Sequence, residues 1–315
     1  METDNQRIEI RAYAKINLCL DVQGVLENGY HQVAMVMQQI LLCDDVLLRW
    51  VPDETADGVV ISMGTNRPWL PTDRRNLAWQ AAELMAQTYA SGVCGILRID
   101  IKKRIPVAAG LAGGSSNCAA VIHGLNRIWD LGLSVKELCE AGARLGSDVP
   151  FCVMGQAAAD PVLNVAFVDD PLACHCAVAT GRGTDLEPVP GLNSYLVLSK
   201  PPISVSTAEA YRGVDEEEIA GRPDIPEMVR GLRKKDSTLI QKNMVNVLEN
   251  YTLKRYPVAM YTKNKMQKEC NCDALLMSGS GPTVFGLCAD REGAKAACRV
   301  MKEINRESFW TRTTV

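Results

Sequence analysis

The chain has 315 residues, 47% of them hydrophobic and 23% charged, with a formal net charge of −3 and a pI of about 5.8. That length suits two domains of ordinary size. The mild acidity gives no ground for nucleic acid or an anionic membrane as a partner, and no apolar run approaches the roughly 18 residues of a membrane span.

Ile8 to Val22 reads as a strand, with room for a turn near Ala12–Ala14. It carries Ala14-Lys15-Ile16-Asn17-Leu18, and a lysine inside an apolar strand needs a reason, because burying an ammonium without partners is costly. Two readings fit: an edge strand with a solvated Lys15, or a lysine aimed into an anion site. Asn28-Gly29 is a turn signal and leaves Tyr30 and His31 at the start of a second strand, Val33 to Leu42, continuing towards Trp50. Residues 64–75 form a loop, and Asn76 to Ala90 is helical with Leu77, Ala81, Leu84 and Met85 on one face. Ile96 to Lys103 alternates as a strand, with Leu97, Ile99 and Ile101 on one face and Arg98, Asp100 and Lys102 on the other.

That strand enters Ile105-Pro106-Val107-Ala108-Ala109-Gly110-Leu111-Ala112-Gly113-Gly114-Ser115-Ser116-Asn117, and a helix follows from Cys118 to Trp129. Strand, glycine loop and helix in this order bring free backbone N–H groups to a helix N-terminus, which suits an anion. The same pattern fits an ordinary glycine-rich turn with a serine N-cap. The loop is neither a Walker A motif nor a Gly-x-Gly-x-x-Gly turn.

Ser134-Val135-Lys136-Glu137 is a capping box for a helix ending at Gly146. Asp148 then stands before Val149-Pro150-Phe151, where an apolar strand entry is expected. Either an Asx turn or a carboxylate facing a site explains it. Val162 to Val168 reads as a strand and Thr180-Gly181-Arg182-Gly183 as a turn. Tyr195 to Leu198 is a strand, and Ser206-Thr207-Ala208-Glu209 caps a short helix holding Tyr211. Asp215 to Asp224 is a solvated acidic loop. Helices are expected over 226–233, 239–251, 258–269 and 292–305, and strands over 274–277, 284–288 and 310–315, giving helices over an antiparallel sheet. Twelve scattered cysteines and a polar Met1 to Arg7 predict reduced thiols in a cytoplasmic protein. The pairs Cys174/Cys176, around His175, and Cys270/Cys272 lack the spacing of a metal site.

Three motifs in this order, Ala14 to Leu18, Pro106 to Ser116 and Ser278-Gly279-Ser280-Gly281-Pro282, resemble those of the GHMP kinases. Gly29-Tyr30-His31, Gly113-Gly114-Ser115-Ser116-Asn117 and Gly146-Ser147-Asp148-Val149-Pro150 are most similar to the branch acting on a cytidine-diphosphate-linked methylerythritol. The resemblance covers nearly the whole chain. It implies an α+β, two-lobed fold, with an N-terminal lobe like ribosomal protein S5 domain 2 and a C-terminal ferredoxin-like lobe, and a site in the cleft between them. The boundary falls at 1–190 and 191–315. It implies ATP and Mg²⁺ as cofactors, and transfer of the γ-phosphate to the 2-hydroxyl of that small molecule in the non-mevalonate route to isoprenoid precursors.

By the same resemblance Lys15 and Asp148 are the catalytic pair. Pro106, Val107, Ala108, Ala109, Gly110, Leu111, Ala112, Gly113, Gly114, Ser115 and Ser116 bind the ATP phosphates. Asn17, Tyr30, His31, Thr207 and Tyr211 bind the substrate, and no protein metal ligand is assigned. Two departures stand out. Gln156 to Cys176 is a surplus segment, expected to be an exposed excursion away from the phosphates. Ala108 and Ala112 stand where glycine is common, which requires their φ to be below zero. Other readings remain: a GHMP kinase for homoserine, mevalonate or a sugar, or a GHMP-fold binding protein without catalysis.

Overall fold

The computed structural model describes residues 6–27 and 29–315. Asn28, half of the expected Asn-Gly turn, and residues 1–5 lie outside them. The elements in order are β1 (Gln6–Val25), β2 (His31–Pro52), β3 (Val59–Thr65), α1 (Leu77–Tyr89), β4 (Gly95–Lys102), α2 (Gly113–Ile128), α3 (Val135–Ala143), α4 (Val149–Ala159) and α5 (Asn164–Phe167). There follow β5 (Cys176–Thr180), β6 (Asp185–Pro188), β7 (Tyr195–Lys200), α6 (Thr207–Val214), α7 (Ile225–Lys234), α8 (Ser237–Lys242), α9 (Glu249–Arg255), α10 (Pro257–Glu269), β8 (Ala274–Met277), β9 (Val284–Cys288), α11 (Arg291–Lys302) and β10 (Glu307–Arg312).

The chain forms two compact units, and β1 and β2 run through both. The first comprises the chain up to Ala14, Cys43–Ile105 and Ala112–Cys174. Here β4 lies between β3, to which it is parallel, and the C-terminal half of β2, to which it is antiparallel. Leu97, Ile99 and Ile101 of β4 are buried and Ile96, Arg98 and Lys102 exposed, as their alternation requires. α2 packs against α1 and α4. Asn76 caps α1 through its side chain, and Ser134 with Glu137 forms the expected capping box on α3.

The second unit comprises Lys15–Leu42, Pro106–Leu111 and His175–Val315. β5 and β6 form a hairpin whose β5 pairs with Met35–Gln38 of β2. A separate antiparallel sheet runs β10-β7-β9-β8. Its core is Val197, Val284 and Cys288 from the sheet, with Met266 of α10 and Ala294, Ala297, Cys298 and Met301 of α11. Among the described residues no helix is long and apolar enough to cross a membrane.

Several elements differ from expectation. Val149–Ala159 is a helix rather than a strand: its residues Val149 to Ala157 are all buried, and a continuous apolar run has no period to separate the two. Pro150 sits in its first turn, where a missing N–H costs nothing. The stretch 162–168 contains the short helix α5, not a strand. The surplus segment begins buried, as the last turn of α4 and Asp160, and reaches the surface only afterwards, at Val165 and Val168. Asp160 accepts from the N–H groups of Arg11 and Val162, each at 2.8 Å.

The helix expected over 239–251 is broken into α8 and α9, because 243–248 bridges to β1. There Leu20 N–H donates to Val245 O and Val247 N–H to Leu20 O. β1 is continuous, without a turn at 12–14, and β3 was not anticipated.

Candidate active site

In the second unit parts of the three sequence motifs meet: Lys15–Leu18, Pro106–Leu111 and Ser278–Pro282. Lys15 is 4% exposed, so the solvated-edge reading fails; its Nζ donates to Asn17 Oδ1 at 2.9 Å and its backbone N–H to Leu111 O at 3.2 Å. Ser278 Oγ donates to Gly110 O at 2.9 Å, and a Cβ built on Gly279 would lie 3.5 Å from Asn17 Oδ1. Asn246, buried, donates from Nδ2 to the carbonyls of Met277 and Gly279, both at 2.8 Å. Gly110 has φ +73°, and a Cβ there would fall 2.0 Å from Ser278 O, so the close approach of the two loops requires glycine.

The same unit gathers an aromatic cluster at the start of β2. The His31 and Tyr211 rings are 5.1 Å apart, tilted by 42°. His31 Nε2 lies 2.9 Å from Asp215 Oδ2. Tyr30 is 52% exposed, with the Arg182 guanidinium 5.8 Å from its ring centroid. Thr207 Oγ1 and Ser280 Oγ are 3.1 Å apart, which ties the helix bearing Tyr211 to the third motif. The sequence does not single out Asp215 or Arg182, which contact His31 and Tyr30. Asp215 opens a stretch whose composition reads only as solvated loop, although its spacing of four from Tyr211 was the available signal.

In the first unit the glycine loop leads into α2 earlier than expected, at Gly113 rather than Cys118. The first intrahelical bond is Ser116 N–H to Ala112 O at 2.8 Å, so the N–H groups of Gly113, Gly114 and Ser115 precede any helical acceptor. A sixteen-residue helix adds its dipole at that point. No serine caps this helix: Ala112 does, in the left-handed conformation. Ala108 and Ala112 have φ +49° and +54°, contrary to the expected negative values. The loop geometry thus requires left-handed residues whether or not glycine supplies them.

Ser116 is fully buried; its hydroxyl donates to the Tyr13 carbonyl, and its own carbonyl accepts from Gln156 Nε2 at 2.8 Å. Ser115 is half-buried. Behind the loop, Lys103 Nζ donates to Asp44 Oδ2 and, at 3.0 Å, to Asn117 Oδ1, while Asn117 Nδ2 donates to Asp44 Oδ2 at 2.8 Å. Asp44 Oδ1 accepts from the N–H groups of Arg104 and Ile105. This buried network fixes the strand exit and the first turn of α2 together, a framework sequence reasoning also missed. Asp148 is the N-cap residue of α4, and its side chain makes no capping bond.

A glycine loop opening onto a helix N-terminus, a buried lysine beside an asparagine, and an interlocking serine-glycine loop are features of a kinase of the GHMP type. Family models agree: GHMP kinases N terminal domain matches residues 76–156 and GHMP kinases C terminal matches 228–306. The 4-diphosphocytidyl-2-C-methyl-D-erythritol kinase of Geobacillus kaustophilus is 47% identical over 284 residues, covering 89% of this chain and 88% of that one. A crystal structure of 4-(cytidine 5'-diphospho)-2C-methyl-D-erythritol kinase superposes with a TM-score of 0.75 at 26% identity, covering 98% of this chain and all of the other. Homoserine kinase from Cytophaga hutchinsonii, at TM-score 0.68 and 20% identity over all of this chain and 96% of its own, shares the fold alone. The chain belongs to the 4-diphosphocytidyl-2-C-methyl-D-erythritol kinase family, with the two-lobed GHMP kinase fold.

Proposed function

We propose that this chain transfers the γ-phosphate of ATP to the 2-hydroxyl of 4-diphosphocytidyl-2-C-methyl-D-erythritol, a step of the non-mevalonate route to isoprenoid precursors. The observation that carries this is the His31–Tyr211 pair beside the interlocked motifs, since an aromatic face and an imidazole suit a cytosine ring and its polar edge. Family membership supports the same reaction and an ATP donor.

The residue roles follow from the chemistry. Phosphoryl transfer to an alcohol requires holding polyphosphate, stabilising the transferred group and taking the hydroxyl proton. The backbone of 106–116 holds the phosphates through the N–H groups at the start of α2. Ser115 supplies the hydroxyl at that turn, because that of Ser116 is spent on Tyr13. Lys15, held by Asn17, stabilises charge on the moving phosphoryl group, and Asp148 accepts the hydroxyl proton. Tyr30, His31, Thr207 and Tyr211 hold the cytidine end, with Asn17 on the acceptor side. Mg²⁺ would enter on the ATP phosphates and offset their charge, next to the Ser115 hydroxyl; a cation that keeps several waters needs no protein cage. In chain terms the lobes are 1–190 and 191–315, and one family-model match falls on each side of that boundary. We place the enzyme in the cytoplasm, where cysteine thiols stay reduced.

ADP release measured separately with the cytidylated methylerythritol, homoserine and mevalonate tests the assignment. Turnover with either of the latter two at a higher kcat/KM would overturn it. Asp148→Asn should lower kcat by roughly two to four orders of magnitude with ATP binding kept. Wild-type turnover in a folded variant would remove Asp148 from the mechanism.

A further inference from the structure

We infer that Asp215 is a positioning residue for base selection: it sets the tautomer of His31 so that the enzyme accepts a cytosine-bearing substrate and rejects its uracil counterpart. The inference rests on the proposed role of His31 at the base. A neutral imidazole has one donor nitrogen and one acceptor, and which is which depends on its partners. Asp215 Oδ2 stands 2.9 Å from Nε2. A carboxylate only accepts, so this contact puts the proton on Nε2 and leaves Nδ1 as the acceptor. An acceptor suits the 4-amino group of cytosine, which donates. Uracil carries a carbonyl at that position, and two lone pairs would face each other.

The contact is built rather than incidental. Thr207, Tyr211 and Asp215 recur every fourth residue and so share one face of α6 and its C-cap. That face meets Ser280 through Thr207, the His31 ring through Tyr211 and His31 Nε2 through Asp215. The opposite side of α6 is fixed as well. Glu209 Oε1 accepts from the hydroxyls of Tyr251 and Tyr256 at 2.9 and 3.1 Å. A Cβ on Gly213 would fall 2.2 Å from the Tyr251 ring, so helix and ring are in close contact. Ring plane and proton position of His31 are therefore held by one anchored helix. The His31 side chain is 12% exposed and that of Asp215 42%.

The test compares wild type, Asp215→Ala, Asp215→Asn and His31→Ala, with the cytidine- and uridine-diphosphate-linked methylerythritols as substrates. Asp215→Ala should lose about tenfold of the cytidine-over-uridine preference in kcat/KM, the scale of one hydrogen bond of about 1.4 kcal/mol, mostly through KM. Asp215→Asn, whose amide oxygen still accepts from Nε2–H, should retain most of it. Long-range ¹H–¹⁵N spectra should show the Nε2–H form of His31 in wild type and Asp215→Asn, and a tautomer mixture in Asp215→Ala. If His31→Ala raises KM for the cytidylated substrate while Asp215→Ala changes neither selectivity nor tautomer, the inference fails and the function stands. If His31→Ala changes nothing, the base-reading role fails and this inference with it.

Discussion

Gly110 and Ser278 lie so close that a single methyl group would not fit between them: a Cβ on Gly110 would sit 2.0 Å from Ser278 O, while Ser278 Oγ donates back to Gly110 O. The contact joins two motifs 168 positions apart in sequence. Gly110→Ala must therefore push the loops apart and also place alanine at φ +73°, which by itself costs about 1–2 kcal/mol. We expect a loss of stability of at least that size and a kcat/KM lowered by tenfold or more, read by urea unfolding and ADP release. A variant as stable and active as wild type would show that the approach is not required.

Ala108 and Ala112 invite the opposite change. Each holds an alanine in the left-handed region, at a cost of about 1–2 kcal/mol that glycine would relieve, less about 0.4–1 kcal/mol for the greater freedom of its unfolded chain. Ala108→Gly and Ala112→Gly should each leave stability unchanged or raise it by up to about 1 kcal/mol, with the gains adding where the sites relax independently. A fall in the unfolding midpoint for both variants would contradict the positive φ values.

These two loops show what the sequence carried and what it did not. The order of the glycine and serine motifs announced the family, because turn chemistry is local. The left-handed alanines were not legible, since alanine has no preference that reveals φ above zero. Asp148 stands at a loop edge, but the run after it is a helix and not a strand: Val149 to Ala157 is buried on every side, and such a run loses its periodicity. Asp44 and Lys103 gave no signal because an isolated charge in a sequence looks solvated; only the fold shows that they bury each other. Asp215 was hidden for the same reason, inside an acidic stretch.

The adjacent serines should separate cleanly. Ser116→Ala removes the donor to the buried Tyr13 carbonyl and should cost about 1–3 kcal/mol of stability, with ATP binding altered little in the protein that remains folded. Ser115→Ala should leave the unfolding midpoint within about 0.5 kcal/mol of wild type and raise KM for ATP. Equal stability losses with unchanged KM in both would refute the division of roles.

His123, in the middle of α2, gives the fold a pH dependence of known sign. It is 1% exposed, and its Nε2–H donates to Val153 O at 2.9 Å, which leaves Nδ1 unprotonated with no hydrogen-bond partner among the described residues. Burial pushes its pKa down to about 4 from the ordinary 6.5, despite opposing contributions from the Val153 carbonyl and Asp160. The folded protein therefore keeps His123 neutral while the unfolded chain takes up a proton below about pH 6.5. Between pH 6.5 and 4 the unfolded state binds more protons, so stability falls as pH falls. The contribution is complete above about pH 6.5 and amounts to about 3 kcal/mol at most across the window. His175, half-buried and also shifted down by desolvation, adds in the same direction. Urea unfolding at a series of pH values from 7 to 4.5 should show this decline. His123→Gln keeps a donor for Val153 O but cannot titrate, so its curve should be flatter than wild type over the same range. Parallel curves for the two proteins would mean that His123 is not held neutral by the fold.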